Sequence, residues 1–279
     1  MSKTTASTAK SRDLTQGSIA KTMLLFALPT LGSSALQSLN GSINAVWVGR
    51  FLGEEALAAT ANGNILMFIL ISFVFGFGMA ATILIGQAMG RRNDTMVKRT
   101  MGTALGSIIP ISILVSAIGW LFAPLLLNLL GTPASAVELA LTYLRMIFVA
   151  MPVTLTFTLI MMALRGTGDS TTPLWFIIIS VIIDLILTPV LILGIGPFPE
   201  WGIFGSAFAT AVANALALIG MIVTMYLRGS VLTLKLPELR FLRADRDILK
   251  SMFSKGLPMG LQMIVISSAA LTMLSLINR

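Results

Sequence analysis

The sequence predicts an all-α polytopic membrane protein: a six-helix bundle, then a seventh helix that opens a second copy of the same pattern. Three observations point there. Of the 279 residues 56% are hydrophobic and 11% charged, with a mean hydropathy of +0.93, against about 25% charged in soluble domains. Seven stretches are long and apolar enough to cross a bilayer. Lysine and arginine crowd onto alternate connections between them.

Residues 1–21 are polar and basic (MSKTTASTAKSR over the first twelve) and lack the apolar core of a signal peptide, so they read as a cytoplasmic tail. Helices are expected at 22–47, 62–87, 101–123, 138–163, 174–195 and 203–227, together one lobe over 22–227. At 1.5 Å per residue each reaches roughly 30 Å or more, the thickness of a hydrocarbon core. Residues 228–255 are mostly polar and read as a cytoplasmic linker. Within them, 237–253 (PELRFLRADRDILKSMF) space Leu239, Leu242, Leu249 and Phe253 near helical intervals with charges between. That is the pattern of an amphipathic helix on the membrane surface. A last helix is expected at 256–277, within a segment 256–279.

Topology follows from the cations. Lys3, Lys10, Arg12 and Lys21 precede the first helix, and Arg91, Arg92, Lys98 and Arg99 follow the second. Arg165 follows the fourth, and Arg228, Lys235, Arg240, Arg243, Arg246, Lys250 and Lys255 follow the sixth. Only Arg50, Arg145 and Arg279 fall elsewhere. The positive-inside rule places the N-terminus in the cytoplasm of a multi-pass protein of the cytoplasmic membrane. The net charge of +8 is therefore a topology signal, not a nucleic-acid footprint.

Residues 19–50 match 248–279 without gaps at an offset of 229. Ile19/Ile248, Lys21/Lys250, Met23/Met252, Leu28/Leu257, Pro29/Pro258, Ser38/Ser267 and Arg50/Arg279 coincide. Leu-Pro enters and Arg leaves an apolar helix both times. The final helix thus reads as the first of a second lobe, related to the first about an axis normal to the membrane. The expectation is a truncated chain whose second lobe is missing.

The polar groups inside the helices are the candidate functional residues. Asp184 is the single charge in residues 174–195 and lies near mid-depth, where a carboxylate costs about 2.5–3.5 kcal/mol. It reads either as a structural acid bonded to neighbouring helices or as a proton- or cation-handling group. Ser33, Gln37, Asn40 and Asn44 are spaced to share one face of the first helix. Asn62 and Asn64 open the second, Thr188 follows Asp184 by one turn, and Thr210 and Asn214 are one turn apart on the sixth. Together these can line a wet, weakly acidic cavity, or serve singly as polar glue between helices.

Other features exclude more than they assign. With no cysteine there is no disulfide or thiolate site, and with no histidine the usual base and metal ligand are missing. Hydrolytic triads and zinc chemistry are excluded, so neither an enzyme nor a metal cofactor is expected. The pairs Gly86/Gly90 and Gly102/Gly106, with Gly76, Gly78, Gly202 and Gly205, read as close-packing sites. Pro29, Pro110, Pro152 and Pro189 should bend helices or free carbonyls. Arg145, two turns from Glu138, reads as a snorkelling or paired structural residue.

Several stretches together resemble the multidrug and toxic compound extrusion (MATE) transporters. They are 164–173 (LRGTGDSTTP); Val48-Gly49-Arg50 with Gly53 and Ala56-Leu57-Ala58-Ala59; 86–94 (GQAMGRRND); Tyr143-Leu144-Arg145; and 201–210 (WGIFGSAFAT). The resemblance implies two six-helix lobes forming a V. It also implies antiport, in which inward H⁺ or Na⁺ drives out bulky, often cationic or amphiphilic compounds. The family's usual acid on the first helix is Asn44 here. Its Asn-x-x-Leu-Asp-Pro on the fifth helix is Asp184-Leu-Ile-Leu-Thr188-Pro189, so the buried carboxylate has moved by one helical turn. On this reading Asp184, Asn44 and Thr188 couple the ion, with Na⁺ as one occupant, while Gln37, Asn40, Asn62, Asn64, Thr210 and Asn214 line the cavity. Charge change at Asp184 would let helices 1, 2, 5 and 6 close. The alternatives are a lipid-linked oligosaccharide flippase of the same superfamily or a non-transporting membrane module.

Overall fold

The computed structural model describes the backbone of residues 18–129, 132 and 136–277; the side chains at 19, 62–63, 65–66, 68–70, 73 and 266–277 fall outside it. The tail up to residue 17, the side chains of Asn62 and Ser267, and Arg279 therefore lie outside the described residues. Among the described residues every regular element is helical: α1 (Ile19–Gly90), α2 (Asp94–Leu129), α3 (Val137–Gly166), α4 (Thr171–Leu193), α5 (Gly202–Leu227), a 3-10 turn (Leu236–Leu242) and α6 (Arg246–Ile277). Five spans are long and apolar enough to cross a membrane: Ala20–Ala61, Asp94–Asn128, Val137–Gly166, Thr171–Leu193 and Gly202–Leu227. Val74–Gly90 is a shorter apolar helix. This is a multi-pass, all-α membrane protein.

The first two expected helices are one helical run of 72 residues. A single residue interrupts it: Gly53, at φ 84° and ψ −176°, a conformation only glycine adopts without steric cost. The expected connection at 48–61 is instead helical on both sides of this break. Its EEALAATA stretch is rich in helix formers, and Ala56 and Ala59 are fully buried, so propensity and packing agree. The first leg of α1 leaves the basic end of the bundle and the second returns to it.

Side chains punctuate the other helices. Asn93 Oδ1 accepts the Met96 N–H at 3.0 Å and starts α2. Asp169 Oδ1 accepts the N–H groups of Thr171 and Thr172 at 3.1 and 2.9 Å, which caps α4. Gly194 ends α4 in the left-handed conformation, φ 66°. Pro152 lacks the N–H that would bond Phe148, and the Ser116 hydroxyl of α2 donates to that freed carbonyl instead. The carbonyl left free by Pro152 thereby joins α2 to α3.

Outward faces are apolar and bare: Leu31, Ile182, Ile186, Ile219 and Val149 are all more than half exposed, as a lipid-facing belt requires. Inside, small residues set the approach. A Cβ on Gly76 would strike the backbone of Gly256 and Gly260, so α6 crosses the second leg of α1 backbone to backbone. Gly90, by contrast, faces open space and is not a close-packing site.

The amphipathic helix expected at 237–253 does not form as one element. The 3-10 turn ends at Leu242, and α6 begins at Arg246, where Asp245 Oδ1 caps it by accepting the N–H groups of Asp247 and Ile248 at 3.1 and 3.4 Å. Two charges of the segment's polar face, Glu238 and Asp245, are paired with α2. Lys98 Nζ donates to Glu238 Oε1 at 2.7 Å, and Arg99 pairs with Asp245. The Asp245 N–H donates to Thr103 Oγ1 at 3.3 Å. Gly102 and Gly106 let the backbone at Phe241 and Leu242 lie directly on α2. Ion pairing and glycine contact thus hold the segment against α2. The expected linker boundary at 255 also falls inside α6, with Ile248 and Met252 buried in the core.

Gly106→Leu should push Leu242 off α2 and expose the strap, raising proteolysis at Arg240 and Arg243 by roughly tenfold or more while the protein still inserts. A second expectation concerns acid. The Lys235 N–H and the Lys98 ammonium hold the Glu238 carboxyl below its ordinary value of 4.5. A carboxyl lowered by folding stabilises the docked strap above that ordinary value, and the contribution is lost as pH falls through the lower folded value. Strap protection measured by hydrogen exchange should therefore be flat from neutral pH to about 4.5 and decline below it.

Candidate functional site

Asp184 sits midway along α4 and is 1% exposed. Four donors from three helices meet its carboxylate. Asn40 and Asn44, one turn apart on the first leg of α1, each donate an amide N–H to Oδ2 at 2.7 Å. Thr188, one turn along α4, donates its hydroxyl to Oδ1 at 3.1 Å, and Thr210 of α5 donates to the same oxygen at 3.0 Å. Each oxygen accepts two hydrogen bonds, which satisfies an ionised carboxylate. The bonds replace the water this depth denies. Asn40 Oδ1 and Asn44 Oδ1 are buried and find no donor. Two amide oxygens therefore stand beside the carboxylate with unused acceptor capacity.

A second, shorter network continues toward the basic end. Ser180, one turn before Asp184, donates to Asn214 Oδ1 at 3.0 Å, and Asn214 Nδ2 donates to Thr154 Oγ1 at 3.4 Å. It ties α4 to α5 and α3. Ser180 and Thr154 were not among the sequence candidates. The one-turn spacing that linked Asp184 to Thr188 also reaches Ser180, but Thr154 needed the fold.

A cavity of about 430 Å³ opens beside these networks, bounded by α1, α3, α4 and α5. Gln37, Asn40, Asn44, Asn64, Thr210 and Asn214 line it. The Asn62 side chain is outside the described residues. Gln37 is exposed to the cavity and does not reach Asp184, and Ser33 turns back to donate to its own helix at Pro29 O, 2.8 Å. Asn64, near the far end, accepts from the Tyr143 hydroxyl at 3.5 Å. Asp184 and Thr188 lie behind the wall and do not line the space. The expected weak acidity is therefore absent from the lining: the only formally charged side chain among the described lining residues is Arg165. Its Nε and Nη2 are buried without a hydrogen-bond partner. Arg145 lies away from this cavity, its guanidinium carbon 4.6 Å from the Trp120 ring centre, a cation–π contact rather than an ion pair with Glu138. Among the described residues no side chain of the second leg of α1 bonds Asp184, and the acid's described partners join helices 1, 5 and 6 of the expected bundle.

Residues 29–190 match the MatE family model. Two Bacillus subtilis (strain 168) proteins are similar to this chain: the probable multidrug resistance protein YoeA, 36% identical over 94% of this chain and 56% of its own length, and the probable multidrug resistance protein YpnP, 31% identical over 96% and 58%. The chain spans about half the length of the relatives it matches. A solved outward-facing structure of a multidrug resistance MATE family transporter superposes with a TM-score of 0.84 at 21% identity, over 95% of this chain and 57% of that one. That likeness speaks for the fold.

Thr188→Val keeps the shape of a fully buried side chain and removes one donor from Asp184. It should cost about 1.5–3 kcal/mol of stability in detergent. Combined with Asp184→Asn in a double-mutant cycle, the two changes should be non-additive by more than about 0.5 kcal/mol. Strict additivity would mean the bond does not form.

Proposed function

Because the chain belongs to the MatE family, we propose that it works as part of a secondary active efflux transporter, an H⁺- or Na⁺-driven antiporter of bulky, often cationic or amphiphilic compounds across the cytoplasmic membrane. Residues 22–227 form its first lobe, 228–255 the connection to the next, and 256–279 the first helix of that second lobe. The N-terminus faces the cytoplasm, as the cations of the basic end require.

The observation that carries this reading is Asp184 with its four donors and two unpartnered amide oxygens. An acid so placed changes charge by accepting a proton or a cation. When it does, the amides of Asn40 and Asn44 lose their reason to point N–H groups at Oδ2. Half a turn of each amide brings Oδ1 to bear, where it accepts the acid's proton or coordinates Na⁺ beside a carboxylate oxygen. Thr188 and Thr210 remain as hydroxyl oxygens on the other side. Because the donors come from α1, α4 and α5, the charge state of one residue biases how three helices pack. Substrate occupies the adjoining cavity, lined by Gln37, Asn64, Thr210 and Asn214, while the ion occupies Asp184. Exchange between the two is the coupling.

Asp184→Asn in the full-length protein, reconstituted in proteoliposomes and assayed for dye efflux under an imposed pH or Na⁺ gradient, should lose gradient-driven transport by at least about tenfold while dye binding persists. Whichever gradient drives the unsubstituted protein identifies the ion. Gradient-driven efflux that survives the substitution removes Asp184 from the mechanism.

A further inference from the structure

The carboxylate that dominates the sequence is sealed off from the cavity, and the charge that faces the cavity is positive. Arg165 closes α3 at the basic end of the space, where Asn214, Ser180, Thr158 and Met161 also contribute lining. Its Nε and Nη2 are buried and have no partner, so a ligand meets them once the side chain turns that edge into the space. These two nitrogens share one edge of the guanidinium, and their N–H bonds run parallel, the fork that grips a carboxylate or phosphate side-on. A cation that is partly desolvated and unpaired is costly, and an oxyanion delivered to that edge removes the cost. No Asp, Glu or second cation stands among the described lining residues to compete.

We propose that Arg165 is a binding site for the oxyanion of a transported compound, so that the cavity selects amphiphiles carrying a carboxylate or phosphate on a flat apolar body. The apolar body has its own surfaces: Phe157, Ile177 and Val181 line the walls, and Met161 and Met162 supply side chains that repack around different shapes. The oxyanion docks at the basic end and the body extends along the cavity toward the amides of Asn40 and Asn44. Arg165 thereby adds an anionic handle to the efflux reading above, on which it rests. Cations and neutral compounds are held by the apolar walls and the amides, and anions or zwitterions gain the additional fork.

The test is equilibrium binding to the protein in phosphatidylcholine nanodiscs of 9-anthracenecarboxylate and of its methyl ester, which has the same ring without the charge. The unsubstituted protein should prefer the acid by about tenfold or more. In R165Q the preference should vanish, and R165K, which keeps the charge without the fork, should retain part of it. No preference in the unsubstituted protein, or a full preference surviving in R165Q, overturns the site. So does displacement of the acid by added phosphatidylglycerol, which would make Arg165 a lipid headgroup contact. If R165Q fails to fold, the acid–ester comparison on the unsubstituted protein and on R165K decides alone. Loss of the acid preference with gradient-driven dye efflux intact sinks only this site. Absence of any gradient-driven efflux by the full-length protein sinks the transport reading, whatever the acid preference.

Discussion

A carboxylate in hydrocarbon must be given donors by its neighbours, and that requirement organises the middle of this bundle. Asp184 takes two amide donors from α1, one hydroxyl from its own helix and one from α5. Each helix contributes a polar side chain it could not otherwise bury, and none of the three can shift without leaving an acceptor bare. The apolar belt outside is interchangeable leucine and isoleucine. The polar centre is specific in partner, distance and register, and so carries the precision of the fold.

Satisfying the acid also hides it. With all four acceptor positions filled, the carboxylate has no face toward the cavity, and Asn40 and Asn44 stand between the two. These asparagines belong to both compartments, donating to Asp184 on one side and lining the space on the other. The layer that insulates the charge is also the layer through which a change of charge reaches the cavity. What is left facing the cavity is amide, hydroxyl and apolar surface, with Arg165 at the basic end.

The strap after α5 follows a different logic. At the membrane surface charges are cheap to expose, so the segment is held by many small terms: two ion pairs, a backbone bond to Thr103 and the glycine track of α2. It positions α6, whose own glycines cross α1 backbone to backbone. Helix α6 thereby packs directly on α1.

Much of this was legible beforehand because membrane burial is a blunt constraint. Hydropathy located the apolar spans, lysine and arginine marked the basic end, and a lone acid within a mostly apolar stretch of 22 residues announced itself. One-turn spacings on a helix put Asn40 with Asn44 and Asp184 with Thr188 without any coordinates, since i, i+4 neighbours share a face by geometry alone. Which faces meet is not a local property. Only the packed bundle brought Thr210 to the same carboxylate as Asn40, turned Asp184 away from the cavity it was expected to acidify, left Arg165 as its charge, and traded a membrane-surface helix for a strap clasped by Lys98 and Arg99. Those outcomes depend on contacts between residues 26 to 146 positions apart, where satisfaction of polar groups, and not periodicity along the chain, selects the arrangement.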